Sequence, residues 1–177
     1  MWTEALILAA GISGGGVAAV AGFGIGSLLT PAFALQMDAR LAVAAVSIPH
    51  VVGTAFRFWL LGARVDRKIV WSFGLTSAAG GLAGAVLQSR VGVPALMVLF
   101  GALLLFTAGA ELSGLARRMR FDGPVAWLVG GTSGLLGGLV GNQGGIRSAA
   151  LLGVDLQKHV FVGTATAVGL MVDGARM

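Results

Sequence analysis

An arginine follows a run of glycines and amides inside an otherwise apolar stretch, Val140-Gly141-Asn142-Gln143-Gly144-Gly145-Ile146-Arg147-Ser148. Its guanidinium offers a planar fork of donors that matches an oxyanion. The amides of Asn142 and Gln143 add donors and acceptors, or satisfy a broken backbone. A half-helix opening near Gly144 and Gly145 adds free N–H groups and a positive dipole end. An earlier run, Gly22-Phe23-Gly24-Ile25-Gly26, offers matching backbone donors at Gly22, Gly24 and Gly26. His50 follows Pro49 in another apolar stretch, where it can contact an anion or relay a proton. The plainer role for His50 is a packed side chain bonded to the carbonyl that proline frees. These residues form a candidate anion site. No nucleophile–base pair, nucleotide loop or metal-ligand cluster stands out, so no enzyme, cofactor or metal is expected.

The elements that must hold these groups are membrane segments. The chain has 177 residues, 56% of them hydrophobic and 11% charged, with a mean hydropathy of +0.92. A soluble domain of this size cannot hide that much apolar surface. Charges divide the chain into Trp2 to about Leu35, Leu41 to Leu61, Ile69 to Gln88, Val93 to Ser113, Pro124 to Val154, and a stretch from Val160 still apolar at Val172. About 20 apolar residues cross a bilayer. The first and fifth segments are too long for one straight crossing, and both contain a glycine run. A backbone break at membrane depth persists only where protein or a water-filled cavity satisfies its polar groups, and paired breaks mark transporter binding sites. Glycines also serve simply to let helices approach closely.

The remaining composition fits. The net charge of +5 and pI near 11.4 come from basic residues between apolar segments, without the aromatic–basic motifs of nucleic-acid binders. Cysteine is absent, so there is no disulfide framework. The start lacks the basic region of a signal peptide and reads as a retained segment. If each segment crosses once, Arg64, Arg67, Lys68, Arg117, Arg118 and Arg120 share one side, and Arg40, Arg90 and Lys158 the other. The richer side is expected to be cytoplasmic, with the N-terminus on it. Trp59, Trp71 and Trp127 read as interfacial anchors. Arg57 reads as a snorkelling or topology residue, and Glu111 as interfacial.

An offset of 119 positions lays Gly22 on Gly141, Gly26 on Gly145 and Arg57 on Arg176. Identity across it is low. The order repeats, however: broken segment, polar turn, apolar helix, arginine. Residues 1–119 read as a first repeat unit and 120–177 as an incomplete second unit of one membrane domain, 1–177. The second unit stops where the first continues through two more segments, so a chain lacking C-terminal helices is expected.

The chain resembles the sulfite exporter TauE/SafE family. The resemblance rests on Gly22-Phe23-Gly24-Ile25-Gly26 with Leu29 and Pro31, on Leu41-Ala42-Val43-Ala44, and on Val65-Asp66. It returns in Gly134-Leu135-Leu136-Gly137, Gly141-Asn142-Gln143-Gly144-Gly145 and Val162-Gly163-Thr164-Ala165-Thr166. It implies a secondary transporter of sulfite, a sulfonate or a related small anion in the bacterial inner membrane. The Asn142-Gln143 pair and Arg147 are more polar than the family's usual glycine-rich pattern. The expectation is an all-α transmembrane bundle with two glycine-broken helices, working by alternating access. Its partners are a small anion and the bilayer; a homo-oligomer and a coupled proton are compatible with it, and nucleic acid is not. A non-transporting membrane subunit is the alternative.

Overall fold

The computed structural model describes residues 2–21, 24–61, 64–118, 123–141, 144–153 and 156–176. The described residues form helices and short connections, without strands. They are α1 (Trp2–Ala21), α2 (Ile25–Ala34), α3 (Ala39–Leu61), α4 (Arg67–Gln88), α5 (Val93–Leu112), α6 (Pro124–Val140), α7 (Gly144–Leu152) and α8 (Lys158–Arg176). A helical turn, Leu115–Arg118, follows α5. Four stretches are long and apolar enough to cross a membrane: Thr3–Val20 of α1, α3, α4 and Val93–Ala110 of α5. Two shorter apolar helices, α2 and α6, join them.

The polarity is inverted relative to a soluble protein. Leu8, Ile12 and Val20 of α1 and Ile48, Val52, Phe56 and Trp59 of α3 are exposed. On α3 these lie three or four residues apart, forming one apolar stripe. Thr54, Ser77, Ser133, Arg147, Ser148, Thr164, Thr166 and Asp173 are buried. Lipid solvates the stripe and the bundle interior holds the polar groups, the arrangement expected of a polytopic membrane protein. The most enclosed element is α8, buried throughout from Phe161 to Gly169.

Close approaches fix the helix directions. A Cβ at Gly14 would lie 3.2 Å from Ile25 Cα, and one at Gly11 would lie 3.8 Å from Leu29 Cδ2. Hence α2 runs back along α1. Gly24 makes the reversal at φ 138, a conformation open to glycine but not to side-chain-bearing residues. Arg57 Nη1 donates to Ala18 O at 2.7 Å, so late α3 lies beside late α1 and the two run parallel. At one end of the bundle, Arg40 Nη2 donates to Val91 O at 2.6 Å, joining the start of α3 to the start of α5. At the other end, Asp66 caps α4, its Oδ1 accepting from Ile69 N at 3.1 Å, and its own N–H donates to Thr164 Oγ1 at 2.9 Å.

This fold-back changes the expected distribution of sides. Because α1 and α2 form a hairpin, the start of α1 lies at the Arg40 and Val91 end, not with Arg64 and Lys68. Lys158, at the start of α8, moves to the Arg64 end, where a Cβ at Gly163 would meet Arg64 O and Leu61 O. A single crossing cannot be told from a hairpin by apolar length alone.

Parallel α4 and α6 meet along a glycine seam. A Cβ at Gly80 would strike Gly131 O; at Gly84, Leu135 O; at Gly134, Ser77 O; at Gly138, Gly81 O. These glycines pack helices and break none.

Candidate functional site

The two half-helices converge inside the bundle. Both α2 and α7 begin within it, α2 after the reversal at Gly24 and α7 after Gly141, which closes α6 at φ 72. No side chain caps the start of α2, so its first N–H groups lack a side-chain acceptor from the cap position. Ile25 Cδ1 lies 3.0 Å from a Cβ position at Gly53 on α3. Gly145 packs against Thr107 of α5, whose Cγ2 is 3.2 Å from its Cβ position. Gly24, Gly26, Gly144 and Gly145 are all buried, and α2 and α7 touch.

Arg147 sits where these elements meet. It is 2% exposed. Its two terminal guanidinium nitrogens each lie 3.2 Å from a Cβ position at Gly169, with Thr54 Cγ2 at 3.3 Å from the same point. Gly169 lies near the middle of α8, so the guanidinium is far from either bundle end. Glycine there leaves the room that the guanidinium occupies. The Thr54 hydroxyl is fully enclosed with no hydrogen-bond partner among the described residues, and Ser148 Oγ is in the same state. A helical threonine ordinarily bonds the carbonyl one turn back, so an enclosed hydroxyl without that bond is unusual.

One turn from Thr54 on α3 and one turn from Gly169 on α8, His50 Nδ1 lies 2.7 Å from Asp173 Oδ2, the ring N–H donating to the carboxylate. The partner of His50 is therefore a carboxylate of the last helix rather than a proline-freed carbonyl. Asp173 also lines a cleft of about 300 Å³ with Val43, Ser47, Val51, Gln88 and Gly138. A second cavity, about 160 Å³ between Pro31, Val43, Phe100 and Val140, has almost wholly apolar walls and offers an anion nothing.

Of the sequence-derived site, Arg147, Gly24, Gly26, Gly144, Gly145 and His50 fall around the middle of the bundle. Gly22, Asn142 and Gln143 lie outside the described residues, as do the side chains of Glu111, Arg117 and Arg176. Arg57, expected at the interface, is buried at 8% exposure on the Ala18 carbonyl. Sequence reasoning left Asp173 unplaced and missed Thr54. The charge of Asp173 inside an apolar stretch was a signal for it, whereas Thr54 carried none.

The family model described as sulfite exporter TauE/SafE matches residues 7–177. The chain belongs to this family. Family membership and the lipid-facing exterior together make it a multi-pass membrane transporter of the sulfite-exporter type. They accord with a small anionic substrate and do not favour a non-transporting subunit. No curated protein and no solved structure matches the chain.

Proposed function

We propose that this protein moves a small monovalent oxyanion, sulfite in its singly charged hydrogensulfite form or an organosulfonate, by alternating access around Arg147. The observation that carries the reading is the buried guanidinium against the middle of α8, near two half-helix starts. An arginine in that position is costly unless its charge is used. The N–H groups near Gly24, Gly26, Gly144 and Gly145 would complete the anion's coordination, with Asn142, Gln143 and Gly22 at the two breaks.

The repeat supports the same reading. The offset of 119 carries His50 onto Gly169 and Thr54 onto Asp173. The contacts His50–Asp173 and Thr54–Gly169 are thus images of one another, as a two-fold axis between α3 and α8 requires. The same two contacts make α3 and α8 antiparallel, which fits units of inverted topology, 1–119 and 120–177. The first hairpin, α1–α2, opens from the Arg40 end and the second, α6–α7, from the Arg64 end.

We place the protein in the bacterial inner membrane with the Arg64 end cytoplasmic. That end holds Arg64, Arg67, Lys68, Arg118 and Lys158, against Arg40 and Arg90 at the other. The N-terminus then faces outward, opposite to the single-crossing expectation.

Flux of labelled sulfite and methanesulfonate in proteoliposomes tests the site. Arg147→Gln keeps the protein folded by size-exclusion profile and lowers flux about 10- to 100-fold, the worth of a lost charge-assisted contact. Arg147→Lys recovers part of it. Unchanged flux in Arg147→Gln would remove Arg147 from the pathway.

A further inference from the structure

We propose that the His50–Asp173 pair binds a proton that crosses together with the anion, so that transport is electroneutral. The inference rests on the reading of Arg147 as the anion's ligand. Three groups share one buried interface. Arg147 reaches α8 at Gly169, and Asp173 lies one turn further along the same helix face, held by His50 from α3. Asp173 also lines the cleft between α3, α4 and α6.

Charge counting then sets the coupling. Protonated, the pair is neutral overall, either as imidazolium with carboxylate or as imidazole with carboxylic acid. Without the proton it carries one negative charge. The empty, proton-free site therefore holds Arg147 against the negative pair and is balanced. With proton and anion both bound, Arg147 faces the anion and the site is again balanced. Anion alone leaves one excess negative charge, and proton alone leaves one excess positive charge. An uncompensated charge in a dry interior is heavily penalised, so the two half-loaded states are the ones that resist reorientation. Proton and monovalent anion must move as a pair, in the direction set by their summed gradients. A membrane potential does no work on that pair.

Of the other ionisable side chains on the helices, Arg57 is bound to the Ala18 carbonyl. Arg67 and Lys68 stand exposed at the start of α4, as do Lys158 and His159 at the far end of α8 and Arg40 at the start of α3. On α1, Glu4 is exposed; α2 and α6 carry no ionisable side chain. Glu111 on α5 and Arg176 on α8 complete the inventory, their side chains outside the described residues.

Two flux modes separate the roles. In one, labelled methanesulfonate or sulfite exchanges with the same unlabelled anion at equal pH. In the other, a pH gradient with an alkaline lumen drives accumulation of methanesulfonate, which stays singly charged on both sides, while potassium and valinomycin clamp the potential. The wild type performs both, and changing the clamped potential leaves accumulation unaltered. Asp173→Asn fixes the pair in its neutral form, so the anion-loaded carrier stays balanced and the empty carrier does not. Exchange survives and gradient-driven accumulation falls at least about tenfold. Asp173→Ser, which equally lacks the carboxylate, decides the matter if Asp173→Asn does not fold. The proposal is overturned if accumulation persists in the folded variants, if it follows the membrane potential in the wild type, or if folded Asp173→Asn loses exchange as well. A wild type that exchanges neither probe overturns the anion reading itself, and the proton proposal with it.

Discussion

Thr54 separates stability from transport at a single atom. Its methyl Cγ2 lies near the Arg147 guanidinium, and its hydroxyl is buried without a hydrogen-bond partner among the described residues, a state that costs free energy. Thr54→Val removes that unsatisfied group and nearly keeps the shape. The variant is expected to be as thermally stable as the wild type or more so, by up to about 1 kcal/mol. Its KM for sulfite should rise about 5- to 20-fold, the worth of one hydrogen bond to a charged ligand. A melting curve in detergent and a flux saturation curve read the two effects independently. Lower stability with unchanged KM would make Thr54 a packing residue. Arg147 was legible in the sequence because a charge in an apolar stretch is conspicuous. Thr54 was not, because helical threonines are common in membranes and ordinarily bond their own backbone. Arg57 misled for a related reason. Its distance from the end of α3 suits snorkelling, and only the return of α1 to its side supplies the Ala18 carbonyl that buries it.

At the scale of elements, glycine has two distinct uses here, and composition alone does not separate them. Gly24 and Gly141 take positive φ and reverse or end helices. Gly80, Gly84, Gly130, Gly134 and Gly138 are ordinary helical residues whose missing Cβ lets α4 and α6 touch backbone to backbone. At Gly84 the added Cβ would overlap Leu135 O and lie 2.9 Å from Leu139 N, atoms that cannot step aside without moving a helix. Gly84→Ala should therefore destabilise the protein by about 1–3 kcal/mol, as overpacking does. Gly101→Ala on α5 meets no atom within 4 Å and should be neutral, or stabilising by up to about 1 kcal/mol through helix propensity. Thermal denaturation of the two variants in the same detergent checks the contrast, and equal melting points would mean that the seam is looser than its geometry. The helix order and the interruptions near Gly22 and Gly141 could be read from hydrophobic runs and glycine clusters. The return of α2 along α1 could not, because the pattern marks where a chain can turn and says nothing of the direction it takes.

That direction decides the arrangement of the whole molecule. With α1 and α2 as a hairpin, Thr3 and Ser89 lie at the Arg40 end, and Ser113 and Gln157 lie at the Arg64 end; all four are exposed. With a single crossing of each long apolar stretch, Thr3 would share a side with Ser113, and Ser89 with Gln157. The two pairings are incompatible, and the absence of native cysteine makes them directly measurable. Single cysteines at the four positions are labelled with a membrane-impermeant maleimide, first in intact cells and then after permeabilisation. The expected result is labelling of Thr3→Cys and Ser89→Cys in intact cells, with Ser113→Cys and Gln157→Cys reacting only once the membrane is opened. None of the four replaces a charged residue, so the basic bias that orients the chain is undisturbed. Reversal of both pairs together would preserve the hairpins and refute only the cytoplasmic assignment of the Arg64 end. Thr3→Cys behaving like Ser113→Cys would refute the α1–α2 hairpin. The inverted relation between α3 and α8 depends instead on the second hairpin, α6–α7, which Gln157→Cys reports. Two hairpins opening from opposite ends bring the starts of α2 and α7 into the middle of the bundle, toward the same guanidinium.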